Sequence, residues 1–103
     1  MGKTIIEDFR TDDEKLDTKG FVVANTQWKY ANSDKLQNIA ICAPFKNKEE
    51  RKELTRIFIE RNDLERVRVV EGIKRKYGRT YRTKGKDRII IHNFGVFTNH
   101  VKI

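Results

Sequence analysis

The chain has 103 residues and a net charge of +8, and hydrophobic and charged residues each make up 37% of it. This length provides one modest hydrophobic core rather than two, and the composition is that of a folded chain rather than a disordered one. The single cysteine, Cys42, excludes an internal disulfide, and no stretch resembles a signal peptide, a lipid-anchor motif or a membrane span. We therefore expect one cytoplasmic domain, residues 1–103, that makes no membrane contact.

The first 19 residues are acidic, with six acidic residues against four basic ones. Their apolar residues include Phe9 and Leu16, which are seven positions apart and so share one face of a helix. The segment 1–19 is therefore predicted to be a partly ordered acidic arm or a short N-terminal helix. Its charge should repel phosphate groups.

Two strands are expected next. β-branched and aromatic residues run through 21–24 and continue to Trp28, which is typical of a strand, and the sequence Asn-Ser-Asp at 32–34 favours a turn. A second strand is predicted at 38–43. This strand should end at Pro44, because proline has no N–H to donate to a β-ladder.

The clearest helix is predicted over 47–61. Asn47 is a typical N-cap residue, and Glu50, three positions later, can complete a capping box. The buried stripe of this helix is expected at the i, i+3 and i+4 positions Leu54, Ile57 and Phe58.

The remaining pattern predicts further strands. A strand at 67–73 would complete a β-α-β unit, in which the strands on either side of the helix can lie parallel in one sheet. The apolar run at 89–91 is typical of a strand buried on both faces, and a last strand near 96–101 could pair across a two-fold axis to give a homodimer. Together these elements predict an α+β domain, with a small mixed or antiparallel sheet of four to six strands packed on one main helix.

The positive charge is concentrated in residues 66–88, which contain ten basic residues against two acidic ones, whereas the rest of the chain contains 13 of each. A distribution that served solubility alone would mix both signs over the surface. Basic residues bind polyanions by releasing the counterions condensed on phosphates. We therefore predict a non-enzymatic protein that binds DNA or RNA, in which a basic C-terminal β-hairpin over 66–88 contacts the phosphate backbone.

The residues of this hairpin have two expected roles. Its arginines and lysines would contact phosphates, and its two tyrosines could stack on unpaired bases. The residues predicted to contact nucleic acid are Arg66, Arg68, Lys74, Arg75, Lys76, Tyr77, Arg79, Tyr81, Arg82, Lys84, Lys86 and Arg88.

Two other interpretations of the basic segment stay open. Charged residues on an edge hairpin also prevent strands of different molecules from pairing. An acidic protein partner would attract the same segment, as for a small accessory or inhibitory protein of the kind that phages and viruses encode. Charge alone does not distinguish these interpretations from nucleic-acid binding.

The two histidines, His92 and His100, are the residues that could act as general acid or base in a small metal-independent ribonuclease. Ordinary surface or boundary positions are the stronger expectation for both. The spacing of Cys42 and the histidines matches no zinc motif, so no catalytic residue, metal or cofactor is predicted.

The aromatic residues of the first strand also allow two interpretations. Trp28 and Tyr30 share one face of the strand and could form a stacking platform. A lone tryptophan in a thin core is more often buried, so we expect Trp28 inside the core. Cys42 is likewise expected to be a small buried residue.

Overall fold

A computed structural model describes residues 5–29, 34–71 and 88–93. These residues form, in chain order, β1 (Ile5–Asp8), α1 (Asp12–Asp17), β2 (Gly20–Lys29), β3 (Leu36–Phe45), α2 (Lys48–Glu60), β4 (Glu65–Glu71) and β5 (Arg88–Ile91). The predicted α+β class is therefore confirmed, including the main helix and a short helix near the N-terminus. Within the described ranges, neither helix has the length and apolar character needed to cross a membrane.

The described strands form one mixed sheet in the order β1-β5-β3-β2-β4. The β2 strand pairs antiparallel with both β3 and β4, whereas β5 pairs parallel with both β1 and β3. The strands β3 and β4 therefore run in the same direction with β2 between them. This arrangement confirms the predicted β-α-β unit, in which α2 connects two parallel strands of one sheet.

The predicted hairpin over 66–88 is not tested, because residues 72–87 lie outside the described ranges. The strands at the two ends of this segment, β4 and β5, are not paired with each other. These strands run parallel, and β2 and β3 lie between them. Parallel strands cannot be joined by a tight turn and need a crossover connection, which here is the segment 72–87. A hairpin within 72–87 lies outside the described residues, as does the predicted last strand near 96–101.

The helix α2 has the predicted start and the predicted buried stripe. Asn47 is its N-cap, and the side-chain oxygen of Asn47 accepts a hydrogen bond from the backbone N–H of Glu50 at 2.8 Å. The Glu50 carboxylate accepts from the backbone N–H of Lys46 at 2.9 Å, one residue earlier than in a standard capping box. The buried residues of α2 are Leu54, Ile57 and Phe58.

The sheet carries a hydrophobic cluster on each face. The helix-side cluster joins α2 to alternate residues of β2 and β3, and consists of Val22, Ala24, Ile39, Ile41, Ala43, Phe45, Leu54, Ile57, Phe58 and Leu64. The opposite cluster consists of Phe21, Val23, Ala40, Cys42, Ile89 and Ile91. Cys42 is fully buried, as predicted, and its burial raises the pKa of the thiol to about 12. Because Ile90 packs on the helix-side cluster, β5 is covered on both faces, as predicted.

Pro44 does not end its strand, contrary to the prediction, because β3 continues to Phe45. The last pair between β3 and β5 is Cys42 with Ile91, and the carbonyl of Cys42 accepts from the N–H of His92 at 3.1 Å. Backbone groups two residues apart in a strand face the same side, so the missing N–H of Pro44 would face the side where β5 has already ended. The proline therefore interrupts no pairing with β5.

Trp28 is not buried, contrary to the prediction, and 39% of its surface is exposed. The last residue of β2 that pairs with β4 is Asn25, and burial along β2 ends at Thr26. The β2–β3 pairing continues to Lys29, beyond the part of the sheet that β4 covers. Trp28 therefore lies on a two-stranded extension of the sheet rather than in the core.

The N-terminal segment contains a strand that the sequence pattern did not predict. The strand β1 pairs parallel with β5, and the helix α1 begins with a complete capping box between Thr11 and Glu14. The helix has no buried residue, and Leu16 is 82% exposed, so its packing onto the core is slight. The segment is held by the pairing of β1 with β5 and by the hydrogen bond from the N–H of Phe9 to the carbonyl of Ile91, and it contains a buried ion pair between Asp8 and Arg10, with 2.7 Å between Oδ2 and Nη2.

Candidate nucleic-acid interface

The structure describes three of the twelve residues predicted to contact nucleic acid, namely Arg66, Arg68 and Arg88. The other nine lie outside the described residues: Lys74, Arg75, Lys76, Tyr77, Arg79, Tyr81, Arg82, Lys84 and Lys86. The three described arginines lie at the two ends of the basic segment, where it joins the sheet.

Arg66 lies in a bulge of β4, which is an edge strand of the described sheet. The pairing passes from Val23 with Arg68 to Asn25 with Glu65, so that β4 has one residue more than β2 over this step. Arg66 adopts a left-handed backbone conformation with φ of 56°, which costs a non-glycine residue of the order of 1 kcal/mol. Its side chain is exposed.

Arg68 is half-buried and contributes to the bulge. Its Nη1 donates to Oδ1 of Asn25 at 2.9 Å and to the backbone carbonyl of Arg66 at 2.8 Å. Burial, followed by the nearby charge of Arg66, lowers the pKa of Arg68 below its usual value. Nδ2 of the buried Asn25 finds no hydrogen-bond partner within the described part of the chain. Arg68 is therefore engaged in the fold itself.

Arg88 is the first residue of β5, and its positive charge is paired with the carboxylate of Glu7. Its Nη1 lies 2.8 Å from Oε1 of Glu7 on β1, and both side chains are partly exposed. Its Cα is paired with Ile5 on one side and with Ile39 on the other. Of these three arginines, Arg66 alone has an exposed side chain, so its charge is the most available to a ligand.

The charge of the chain is divided unequally between the described and the remaining residues. The described residues contain 14 basic and 14 acidic side chains and are neutral as a set. The connection between β4 and β5, residues 72–87, contains seven basic side chains against one acidic. A net positive field must therefore come mainly from this connection rather than from the sheet and its helices.

The two ends of the connection 72–87 join opposite ends of the sheet. Glu71, the last residue of β4, is paired with Gly20 at the start of β2. Arg88 is paired with Ile39, which is paired with Thr26 near the end of β2. We call the end at which β2 finishes the Trp28 end of the sheet. Arg66 and Arg88 both lie toward it.

His92 is packed against the N-terminal segment at the edge of the structure. Its ring stacks on Phe9, with 4.9 Å between centroids and 18° between planes, and its Nδ1 accepts from the N–H of Asn93 at 3.2 Å. This is the boundary position that the sequence suggested, whereas His100 lies outside the described residues. No group of three or more His, Cys, Asp or Glu side chains in the described ranges is arranged to hold a metal ion.

Comparisons with known proteins do not place the chain in a family. No family model matches the sequence, and no significant match was found among curated proteins or among solved structures. The functional argument therefore rests on the charge and geometry of this chain.

Proposed function

We propose that this protein is a non-enzymatic nucleic-acid-binding module whose basic segment, residues 66–88, contacts the phosphate backbone. The observation that supports this proposal is the division of charge, because the described residues are neutral as a set whereas the segment is strongly basic. Contacts with the neutral sheet and helices would contribute little to the affinity for a polyanion, whereas contacts with the segment would contribute most of it.

The sheet would act as the support on which this segment is held. Each end of the segment continues into a strand that is hydrogen-bonded within the sheet, β4 to β2 and β5 to β3. Anchoring at both ends reduces the conformational entropy that a basic loop loses on binding. Within the proposal, Arg66 contacts phosphate, whereas Arg68 and Arg88 contribute less because Asn25 and Glu7 already engage them.

The residues proposed to make most of the phosphate contacts are those within the connection itself: Lys74, Arg75, Lys76, Arg79, Arg82, Lys84 and Lys86. Tyr77 and Tyr81 would stack on bases where the nucleic acid is unpaired. A reducing, cytoplasmic location forms part of the same proposal, with which the free and buried Cys42 agrees.

The experiment that tests this proposal is a binding titration with labelled single-stranded DNA, duplex DNA and RNA at several salt concentrations. We expect the logarithm of the affinity to fall linearly with the logarithm of salt concentration, with a slope of about −4 to −6, because each neutralised phosphate contributes about −0.7 to −0.9. Failure to bind any of the three nucleic acids at low salt would contradict the proposal. An acidic protein partner would then be the better explanation of the segment.

A further inference from the structure

The bulge of β4 carries an arginine where the backbone favours glycine. Arg66 has φ of 56°, and the left-handed residue of a bulge is usually glycine, which has no Cβ to collide with its own backbone. The side chain of Arg66 is exposed and forms neither a hydrogen bond nor an ion pair with any residue that the structure describes. The fold therefore does not need an arginine at this position, and its guanidinium is available to a ligand.

A second guanidinium at the same bulge lacks an acidic partner in the described ranges. Nη1 of Arg68 bonds Asn25 and the carbonyl of Arg66, whereas its Nε and Nη2 donate to none of the described residues. Burial of Arg68 and the nearby charge of Arg66 lower the pKa of Arg68, which agrees with two positive charges close together. Glu65, their neighbour in β4, is exposed and forms an ion pair with neither of them. No described acid therefore neutralises these two arginines.

The third group at the bulge is a buried amide donor. Asn25 is 4% exposed, and its Nδ2 has no hydrogen-bond partner among the described residues. Its Oδ1 accepts from Nη1 of Arg68 at 2.9 Å, so amide geometry places Nδ2 within roughly 5 Å of that nitrogen. Buried polar groups are nearly always hydrogen-bonded, so an unpartnered donor beside two cations indicates a position suited to an acceptor with negative charge.

We propose that this bulge binds one phosphate group, with Arg66, Arg68 and Asn25 as hydrogen-bond donors. The described groups select an anion, because all three offer N–H donors and two carry a positive charge, which would repel a metal ion or a basic ligand. A guanidinium also matches phosphate in shape, since two parallel N–H groups can meet two phosphate oxygens. The inference deepens the proposed function, on which it rests for the assignment of this phosphate to nucleic acid.

Inorganic phosphate tests the site without any nucleic acid. Phosphate would be added to isotope-labelled protein, with sodium chloride of equal ionic strength as the reference, and the side-chain N–H signals of Arg66, Arg68 and Asn25 would be followed by NMR. We expect saturable shifts of these signals with phosphate and not with chloride. Shifts that do not saturate, or that are the same with both salts, would overturn the proposed site.

Two substitutions separate binding from folding. Arg66→Gly removes one guanidinium and should weaken phosphate binding about tenfold, while the urea midpoint stays the same or rises because glycine adopts the left-handed conformation without strain. Asn25→Asp keeps the shape of the side chain but gives Arg68 an acidic partner, and should also weaken binding by at least about tenfold. The matched control, Lys52→Ala, removes an exposed charge of α2 and should change binding less than about twofold. A folded Arg66→Gly or Asn25→Asp protein with unaltered phosphate binding would contradict the site.

Oligothymidylates with and without a terminal phosphate identify the source of the group. A backbone phosphate predicts that Arg66→Gly weakens the binding of both, and a terminal phosphate predicts weaker binding of the phosphorylated strand alone. Nucleic-acid binding that neither Arg66→Gly nor Asn25→Asp alters would overturn the site and leave the proposed function in place. Saturable binding of free phosphate at the bulge, with no binding of any nucleic acid at low salt, would overturn the proposed function and leave the site in place.

Discussion

Replacing Arg10 with methionine is expected to lower the free energy of unfolding by about 3–5 kcal/mol at neutral pH, because the change leaves Asp8 as a buried charge without its partner. Nε and Nη2 of Arg10 donate to the two carboxylate oxygens of Asp8 at 2.9 and 2.7 Å, and Nη1 donates to the hydroxyl of Thr18. The guanidinium also lies 5.0 Å from the ring centroid of Phe21 in the core. Urea unfolding of Arg10→Met and the unaltered protein measures the loss.

The pH dependence of this loss identifies its cause. Burial opposes ionisation of Asp8, but the hydrogen bonds and charge of Arg10 outweigh it and lower the pKa of Asp8. In the unaltered protein this carboxylate stabilises the fold above its unfolded pKa, and the contribution is lost as the pH falls through the lower, folded pKa. In Arg10→Met the guanidinium is lost, whereas burial and the backbone hydrogen bond from residue 10 remain, so the pKa of Asp8 should rise relative to the unaltered protein and protonation at low pH should relieve the penalty. The two proteins should therefore differ less in acid.

Two controls separate the ion pair from a general effect of losing arginine. Asp8→Asn combined with Arg10→Met removes both charges and should cost less than Arg10→Met alone. Arg56→Met removes an exposed arginine of α2 that pairs with Glu53 and Glu60, and should have a much smaller effect. Equal losses for Arg10→Met and Arg56→Met would show that burial of the Asp8–Arg10 pair does not determine the loss of stability.

Reversing two charges in the basic segment is expected to have the largest effect on binding. Arg79→Glu combined with Arg82→Glu should weaken affinity for every nucleic acid sequence by about 10- to 100-fold, because two phosphate contacts are lost and two repulsive charges are introduced. The salt slope should become less steep by about 2. Binding titrations at several salt concentrations measure both quantities.

The matched control for this pair lies on the exposed face of α2. Lys48→Glu combined with Lys52→Glu changes the net charge by the same amount, and both lysines are exposed. Neither lysine belongs to the segment proposed to contact phosphate, so this control should lose no more than about threefold in affinity, through the weaker general field of the protein. Similar losses for the two double variants would mean that overall charge, and not the segment 66–88, governs binding.

Elements with a local signal could be predicted from the sequence. The helix α2 has a capping residue and a periodic stripe within 14 residues of each other, and its start and buried face agree with the structure. The apolar run of β5 indicated a strand covered on both faces because no polar residue interrupts it. The excess of basic residues in 66–88 is likewise visible in the sequence alone.

Features that depend on distant pairing could not be predicted. The strand β1 has four residues and forms only because β5, more than 80 residues later, lies beside it. The exposure of Trp28 depends on where β4 stops pairing with β2, which is at Glu65, the first residue of β4. The partners of the described arginines are also remote, since Glu7 is 81 residues from Arg88 and Asn25 is 43 from Arg68. Contacts between residues so far apart in the chain produce no local pattern that sequence analysis can detect.

The central claim is that residues 66–88 form the surface that contacts nucleic acid, and chemical-shift mapping by NMR tests it most directly. A short oligothymidylate would be added to isotope-labelled protein at low salt, and the shift of each amide signal would be followed. We predict that the largest changes occur at residues 66–88, with little change along α1 and α2. Changes confined to those helices, or no change at all, would contradict the claim.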